Sequence, residues 1–163
     1  MARTLYTAKA RVTGGRAAGH GETSDGTLAV EMRMPPELGG EGGGTNPEQL
    51  FAIGFAACFE SALGVVARRQ QLEAGDVEID SAVMLRPTED RAFNLAVELA
   101  VTLPSVDDPG AAAELVRGAH AICPYSNATR GNIARGNHRS NRYNCDHRLA
   151  GTTGACPKPP VAT

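Results

Sequence analysis

The spacing of apolar residues predicts several strands in this chain. Apolar and polar residues alternate in TLAVEMRM, DVEIDSAVML and FNLAVELAVTL, which is typical of half-buried strands. A looser alternation from Thr4 to Val12 predicts a further strand near the N-terminus. The turn-rich PTEDRA separates the two longest segments, so these two should form a hairpin.

A long apolar helix is predicted from Pro47 to about Gln70. Asn46 suits the N-cap, Pro47 suits the first helical position, and Gln49 can complete a capping box. The middle of the segment, LFAIGFAACFESALGVVA, is apolar on nearly every side, which predicts a central helix that is packed all round. Because the charged residue Glu60 interrupts the apolar run, a buried helix is favoured over a membrane span.

The pair Asp108-Pro109 should cap a second helix over about residues 110–122. This helix would deliver Cys123 at its C-terminal end, where Pro124 stops the helical run. The glycine-rich loop PPELGGEGGGTN precedes the first helix, and it needs unusual backbone angles or close backbone approach. Strands and helices in this order indicate an α+β domain.

Composition and charge narrow the class of protein. With 163 residues, of which 42% are apolar and 21% charged, the chain should form one globular domain. The net charge of −2 and the lack of a long basic run give no electrostatic case for binding nucleic acid. The first residues, MARTLYTAKARV, contain no apolar signal-peptide region, so we expect a cytosolic protein whose thiols stay reduced.

The C-terminal part of the chain departs from this pattern. Residues 1–134 should form the domain, whereas residues 135–163 have no apolar period and are rich in Arg, Asn, Gly and Pro. A domain of this kind would be expected to end on another strand. One hypothesis is a frameshift, because codons for Arg-Gly-Asn-His-Arg can encode the strand-like Val-Glu-Ile-Thr-Val when read one nucleotide later; the other is a natural disordered extension. Sequencing the coding DNA tests the frameshift, which is wrong if no other frame continues a strand.

Two of the four cysteines, Cys58 and Cys123, are placed by the predicted helices, and none of the four forms a CxxC pair. A cysteine inside an apolar helix is usually a small core residue, and its thiol is inert unless a cation or a hydrogen-bond donor faces it. Cys123 is a poorer attacking thiol, since a helix C-terminus does not favour a thiolate, and it is better suited to resolving an oxidised partner. If the two sulfurs meet, they can pass between dithiol and disulfide.

Arg16 and Glu48 are candidate partners of such a thiol. Arg16 lies in TGGRAAGHG, where the glycines on both sides let the backbone turn the guanidinium inward. The simpler interpretation of Arg16 is a solvated loop residue. Glu48 lies in the first turn of the long helix, where a carboxylate complements the helix dipole without any further role.

A zinc site is the weaker alternative for the tail. His138, Cys145, His147 and Cys156 are suitable ligand types, but their spacing matches no usual zinc pattern. We therefore expect no metal site, and a metal assay of the purified protein tests this.

Three stretches together resemble the organic hydroperoxide resistance (Ohr) branch of the OsmC-like family. They are TGGR, ELGGEGGGTNPEQLFAIGFAACF and CPYSNATRGN, and the resemblance extends from about Leu5 to Ile133. The NPEQLF and ACF motifs are shared across the wider family, whereas CPYSNATRGN is more specific to the Ohr branch. The tail departs from the family, which ends on a short strand soon after the position of Ile133.

The resemblance implies an OsmC-like fold of antiparallel sheets packed around a buried central helix, in an intertwined cytosolic homodimer with two sites at the subunit interface. It implies a thiol peroxidase that reduces organic and fatty-acid hydroperoxides to alcohols without a metal or flavin. Cys58 matches the peroxidatic cysteine and Cys123 the resolving cysteine. Arg16 and Glu48 match the residues that activate the thiolate and orient the peroxide. The reductant it implies is a dihydrolipoyl group, typically on a lipoylated protein.

The chemistry suits these residues, but it raises a question of distance. Arg16 can lower the pKa of Cys58, and Glu48 can hold Arg16 through a bidentate pair. Ten residues separate Glu48 from Cys58, and on one straight helix this is about 15 Å. Three geometries remain open: the helix bends or breaks near Gly54, Glu48 begins a separate segment, or Glu48 comes from the other subunit.

A protein without enzymatic activity is the alternative. A redox sensor or a lipophile-binding protein could use the same cysteine pair, and it would show oxidation of Cys58 without fast turnover by any dithiol. Phe51, Phe55 and Phe59 would favour apolar peroxides if they lined the site, although core packing explains each of them at least as well.

Overall fold

Strands and helices follow one another in two groups, each of which contains one sheet. The computed structural model describes residues 3–132 and 134–135. The first group is β1 (Ala10–Thr13), α1 (Gly15–Ala18), β2 (Gly19–Thr23) and β3 (Ala29–Arg33), followed by a short 3₁₀ turn at Pro36–Leu38. The second group is α2 (Pro47–Gln70), β4 (Glu78–Pro87), β5 (Phe93–Thr102), α3 (Pro109–Ile122), α4 (Pro124–Thr129) and β6 (Ala134–Arg135). The predicted α+β class is confirmed.

The first sheet has the order β1–β2–β3 and is antiparallel throughout. The alternation pattern does not predict its middle strand, GHGET, because glycines stand there in place of apolar side chains. Gly21 is buried in this strand, and a Cβ on it would lie 3.5 Å from methyl carbons of both Val12 and Val30. The strand expected from Thr4 is wrong in its first half, because the ladder with β2 begins only at Ala10.

The second sheet contains the predicted hairpin. β4 and β5 pair in continuous antiparallel register along all 10 residues of each strand. β6 then pairs with β5 in parallel, with Ala134 opposite Ala96, because α3 and α4 supply the long crossover that a parallel connection needs. The chain after β6 lies outside the described residues, so the frameshift and the division into residues 1–134 and 135–163 stay predictions.

Of the two capping interactions predicted at the start of α2, the structure contains one. Asn46 is the N-cap, and its Oδ1 accepts a hydrogen bond from the Gln49 backbone N–H at 2.9 Å, with Pro47 in the first turn. The predicted capping box is wrong, because the Gln49 side chain is engaged elsewhere: Thr45 Oγ1 donates to Gln49 Oε1 at 2.9 Å. The helix continues unbroken to Gln70, as predicted.

The core lies between α2, α3 and the hairpin of β4 and β5. Burial of each large apolar side chain there stabilises the fold by about 1.5–3 kcal/mol. The other side of α2 is open in the single chain, with Ile53 69% exposed, so packing all round is not observed there. By length and composition α2 could cross a membrane, but its place in the core fits a soluble protein. The main buried residues of the three elements are Phe55, Phe59, Leu63, Leu115, Val116, Ala119, Val97 and Val101.

The first sheet stands outside this core. No residue of β1, β2 or β3 belongs to the core cluster of the described chain, and Val12 and Leu28 are 57% and 47% exposed. The sheet joins the second group just before α2, where the Arg33 backbone N–H donates to the Thr45 carbonyl at 2.8 Å. A sheet with apolar side chains on an open face is stable only when another surface covers that face.

Gly118 sets how closely α3 approaches α2. A Cβ at this position would lie 2.8 Å from Val66 Cγ1, inside van der Waals contact. We expect Gly118→Ala to lower the free energy of unfolding by about 1–2 kcal/mol, because an overpacking cost of up to about 3 kcal/mol exceeds a gain of about 1 kcal/mol in helix propensity. Urea unfolding followed by circular dichroism measures this change.

Val66→Ala provides the matched background for this test, because it removes the methyl groups that a new Cβ would meet. In that background, Gly118→Ala should cost less stability than it does alone, or none. An equal cost in the two backgrounds would show that Gly118 and Val66 are not in close contact.

Candidate active site

Cys58 and Cys123 face each other between α2 and the junction of α3 with α4. Their Sγ atoms are 3.6 Å apart, and both residues are free thiols. Cys58 is half-buried, whereas Cys123 is fully buried. Sulfur atoms this close need only a small movement to form a disulfide. The sequence alone left open whether the two thiols meet, and the structure confirms that they do.

Cys123 is shared by two helices. Its backbone N–H donates to the Ala119 carbonyl at the end of α3, and α4 begins at the next residue, Pro124. Pro124 thus starts a second helix as well as ending the first, because proline is accepted in the first turn of a helix. The Ser126 backbone N–H of α4 donates to Cys123 Sγ at 3.4 Å. The Cys123 sulfur therefore accepts a hydrogen bond from α4, which a position at the C-terminus of α3 alone would not provide.

Burial is the main influence on the pKa of the Cys58 thiol, which it raises above its ordinary value. A backbone hydrogen bond from Tyr125 lowers this pKa, and the neighbouring Cys123 thiol raises it. Because the pKa of Cys58 is higher in the folded chain than in the unfolded chain, the protonated thiol adds to the free energy of unfolding. This contribution is fully present below the unfolded pKa of about 8.5 and is lost as the pH rises through the raised pKa. Within the single chain, Cys58 is therefore a protonated thiol at neutral pH.

Arg16 and Glu48 form the second pair of candidate residues, with Arg16 Nη2 lying 2.6 Å from Glu48 Oε1. The side chains are 38% and 15% exposed, so Glu48 is the more sheltered partner. Gly14 and Gly15, at φ of 73° and 64°, turn the backbone so that Arg16 in α1 reaches the first turn of α2. The predicted ion pair is confirmed, although a single N–O contact joins the two side chains where a bidentate pair was expected.

The four candidate residues come together as two pairs and not as one cluster. Glu48 lies in the first turn of α2, and Cys58 follows in the same unbroken helix, about 15 Å further along its axis. A break near Gly54 and a separate segment for Glu48 are both wrong, because the helix is continuous through this region. A bend that keeps the helix continuous would shorten the distance from Glu48 to Cys58 only slightly. Arg16 is not among the groups that shift the pKa of Cys58 within the described chain. If the four residues share a site, the two pairs must come from different subunits.

Aromatic residues lie on the same side of α2 as Cys58. The rings of Phe51 and Tyr125 stack with centroids 5.8 Å apart, and Phe55 lies 5.9 Å from the first and 5.7 Å from the second. Gly54, one turn before Cys58, leaves room for this cluster, since a Cβ there would lie 3.1 Å from Tyr125 Oη. Phe55 is a core residue, whereas Phe51 is half-buried and Tyr125 is 38% exposed.

Tyr125 is a residue of this site that the sequence reasoning missed. Its ring covers Gly54, and its backbone hydrogen bond acts on the Cys58 sulfur. The available signal was a lone aromatic residue two positions after Cys123, in a stretch of small and hydroxyl-bearing residues. Its contact with α2 depends on the angle between α3 and α4, which the sequence pattern does not define.

The described part of the chain contains no group of three or more His, Cys, Asp or Glu side chains that could hold a metal ion. The four candidate zinc ligands, His138, Cys145, His147 and Cys156, lie outside the described residues. The zinc alternative therefore stays untested.

The segment of the chain that carries both cysteines matches a known protein family. The family model described as OsmC-like protein matches residues 40–134, which is more than half of the chain. The chain belongs to the OsmC-like family.

Within that family, the proteins to which the chain is similar include organic hydroperoxide resistance proteins. The chain is 49% identical to the one from Xanthomonas axonopodis pv. citri over 133 residues, which cover 80% of this chain and 92% of that protein. It is 48% identical to OhrB of Bacillus subtilis over 130 residues, or 79% and 93% of the two chains. An organic hydroperoxide resistance protein of Legionella pneumophila has a solved structure that matches with a TM-score of 0.78 at 50% identity, covering 82% of this chain and 96% of that one. The resemblance to the Ohr branch is confirmed, and so is the OsmC-like fold.

The cysteine geometry predicts an intramolecular disulfide under mild oxidation. Diamide treatment of the reduced protein should link Cys58 to Cys123, because their sulfurs are already 3.6 Å apart. Mass spectrometry of alkylated, non-reduced peptides should find the two cysteines in one cross-linked species. Cys123→Ser is the control and should abolish that species. A wild-type protein that forms only disulfides between molecules, or involving other cysteines, would contradict this geometry.

Proposed function

We propose that this protein is a cysteine-based thiol peroxidase that reduces alkyl and fatty-acid hydroperoxides to alcohols. The observation that carries the proposal is the 3.6 Å approach of Cys58 Sγ to Cys123 Sγ in a chain whose relatives are named for organic hydroperoxide resistance. A half-buried thiol next to a fully buried one is suited to oxidation followed by disulfide formation.

Cys58 is the attacking residue in this proposal. Its thiolate bonds to one peroxide oxygen, the O–O bond breaks, and the departing alkoxide takes a proton to become the alcohol. Cys58 is left as a sulfenic acid. Cys123 then attacks the Cys58 sulfur, so that an S–S bond forms while the sulfenic oxygen leaves as water. An external dithiol reopens the disulfide by two exchange steps and becomes a disulfide itself.

The proposed reductant is a dihydrolipoyl group, either free dihydrolipoamide or a lipoylated protein, as the Ohr resemblance implies. Its two thiols supply both electrons, so none of these steps requires a metal or flavin. Exchange should begin at Cys58, because this sulfur is half-buried whereas that of Cys123 is buried. A cytosolic location suits the cycle, since thiol reductants are maintained there.

The apolar surface beside Cys58 gives the proposed substrate preference. Phe51 and Tyr125 present partly exposed rings on the Cys58 side of α2. An alkyl or acyl chain loses apolar surface to water when it binds there, at about 25 cal/mol per Å². Hydrogen peroxide has no such surface to bury, so organic hydroperoxides should be the better substrates.

We infer that the working unit is an intertwined homodimer with two sites at the subunit interface. Ile53 leaves an apolar side of α2 exposed, and Val12 and Leu28 leave an open apolar face on the first sheet. Arg16 is paired with Glu48 at the start of α2, whereas Cys58 lies in the middle of this helix. A second chain lying against α2 would cover these surfaces and would bring Arg16 of one subunit to Cys58 of the other.

In that arrangement Arg16 performs two tasks. Its positive charge and hydrogen bonds lower the pKa of Cys58 and oppose the effect of burial. The same guanidinium stabilises negative charge on the departing oxygen. Glu48, at 2.6 Å, keeps the guanidinium oriented through a charge-assisted hydrogen bond.

Consumption of cumene hydroperoxide with dihydrolipoamide as reductant tests the proposed function. The wild-type protein should turn over, and Cys58→Ser should lose activity by at least about a hundredfold, because no nucleophile remains. Cys123→Ser should still oxidise once at Cys58, but the sulfenic acid should persist.

A folded wild-type dimer without turnover would overturn the peroxidase proposal. If Cys58 is oxidised by the hydroperoxide and no dithiol supports fast turnover, the redox sensor or lipophile-binding protein is the better interpretation.

Arg16→Gln should raise the pH at which Cys58 becomes reactive. Burial raises the pKa of Cys58 within one chain, so a reactive thiolate at neutral pH requires the opposing effect of Arg16. Alkylation by iodoacetamide, followed in a Cys123→Ser background, should show a midpoint for Arg16→Gln at least about one pH unit above that of the parent. Arg86→Gln removes an exposed arginine of β4 and is the charge-matched control. Coincident profiles for Arg16→Gln and its parent would remove Arg16 from the proposed site.

A further inference from the structure

A buried hydrogen bond joins α3 to α4 beside the cysteine pair. His120, in the last turn of α3, and Ser126, in α4, are 6% and 0% exposed. Their side chains lie 2.9 Å apart, His120 Nδ1 to Ser126 Oγ. Neither side chain has a task in the proposed mechanism, although both lie within three residues of Cys123 in the sequence.

This hydrogen bond connects the surroundings of both sulfurs. The His120 ring lies 4.4 Å, centroid to centroid, from that of Phe59, which follows Cys58 in α2. Ser126 donates its backbone N–H to Cys123 Sγ at 3.4 Å. The pair therefore links the segment of α2 that carries one sulfur to the donor that faces the other.

Other hydrogen bonds cross the same corner, but their side chains are exposed. Arg130 Nη2 donates to the His120 carbonyl at 3.0 Å, and Asn127 Nδ2 donates to the Ala121 carbonyl at 3.3 Å. Water can replace such contacts at small cost, whereas breaking a buried hydrogen bond leaves a desolvated polar group. The bond between His120 and Ser126 therefore restricts the angle between α3 and α4 more strictly than the exposed contacts do.

We propose that His120 and Ser126 are positioning residues for the resolving step, holding Cys123 Sγ on its line of attack toward oxidised Cys58. This inference rests on the proposed peroxidase function. In that step the Cys123 sulfur bonds to the Cys58 sulfur, the S–O bond of the sulfenic acid breaks, and the thiol proton leaves with the hydroxide as water. A displacement of about 1 Å in an attacking atom can cost about a hundredfold in rate.

Loss of the bond should separate the two chemical steps. Oxidation of Cys58 by the hydroperoxide does not involve Cys123, so it should continue. A sulfenic acid that waits longer for Cys123 can meet a second hydroperoxide, which transfers an oxygen to give a sulfinic acid and an alcohol. The diagnostic result is thus a larger share of Cys58 sulfinic acid per turnover, which a general loss of stability would not produce.

Three variants probe the bond. Ser126→Ala removes the hydroxyl and keeps the backbone N–H, and His120→Leu removes the imidazole. His120→Asn keeps a polar nitrogen close to the position of Nδ1, so it is the conservative rescue. Glu114→Gln changes an exposed residue of α3 and is the control. With cumene hydroperoxide in excess over the protein, a second hydroperoxide is available to any sulfenic acid that persists. The reaction is quenched with N-ethylmaleimide at successive times, and mass spectrometry quantifies thiol, disulfide and sulfinic acid.

Ser126→Ala and His120→Leu should slow disulfide formation by about tenfold or more. Their rate constants for the first oxidation of Cys58 should stay within about twofold of the wild-type value, and their yield of sulfinic acid should rise. His120→Asn and Glu114→Gln should remain close to wild type. Because Ser126→Ala is the smallest change, it decides the question together with His120→Asn if His120→Leu does not fold.

Unchanged disulfide formation in Ser126→Ala would overturn the inference. It would also be overturned if both steps slowed in parallel with no rise in sulfinic acid, since the pair would then only support the fold. Wild-type protein that forms no disulfide with cumene hydroperoxide would instead overturn the proposed function.

Discussion

The close approach of α2 to the corner between α3 and α4 is the constraint on which the rest of the structure depends. Gly118 has no side chain where Val66 comes nearest, so the two helices can pack closely. This packing brings together two sulfurs that are 65 residues apart in the sequence. The cysteines are carried by helices and a helix junction, which hold reactive groups within narrower limits than free loops do.

Burial and charge place opposite demands on Cys58. The core that positions this sulfur also removes it from water, which raises its pKa and favours the unreactive thiol. The arginine that could oppose this effect is paired with Glu48 at the start of the same rigid helix, out of reach of Cys58 in its own chain. The apolar surfaces on α2 and on the first sheet are also exposed in the single chain, and a second surface is needed to cover them. The proposed dimer meets both demands with one arrangement.

Much of the fold could be predicted because local signals agreed with the tertiary structure. Asn46 and Pro47 start α2 where the capping rules place them, and β4 and β5 follow the alternation of their apolar residues. The predictions that were wrong depended on neighbours. The Gln49 side chain did not complete the capping box, because Thr45 binds it instead. β2 is a strand because β1 and β3 pair on its two sides, although its glycines give no alternation of apolar and polar residues.

By itself, the sequence determined α2, α3 and the hairpin of β4 and β5, the N-caps of the two helices, and the identity of the residues able to carry redox chemistry. Periodicity and capping act over a few residues, so they are readable along the chain. Only the tertiary structure decided that Cys58 meets Cys123, that Arg16 pairs with Glu48 apart from them, and that Tyr125 lies over α2. These contacts depend on the angles between packed helices and on the paths of turns. Such angles are set by side-chain packing between distant segments, which no local pattern encodes.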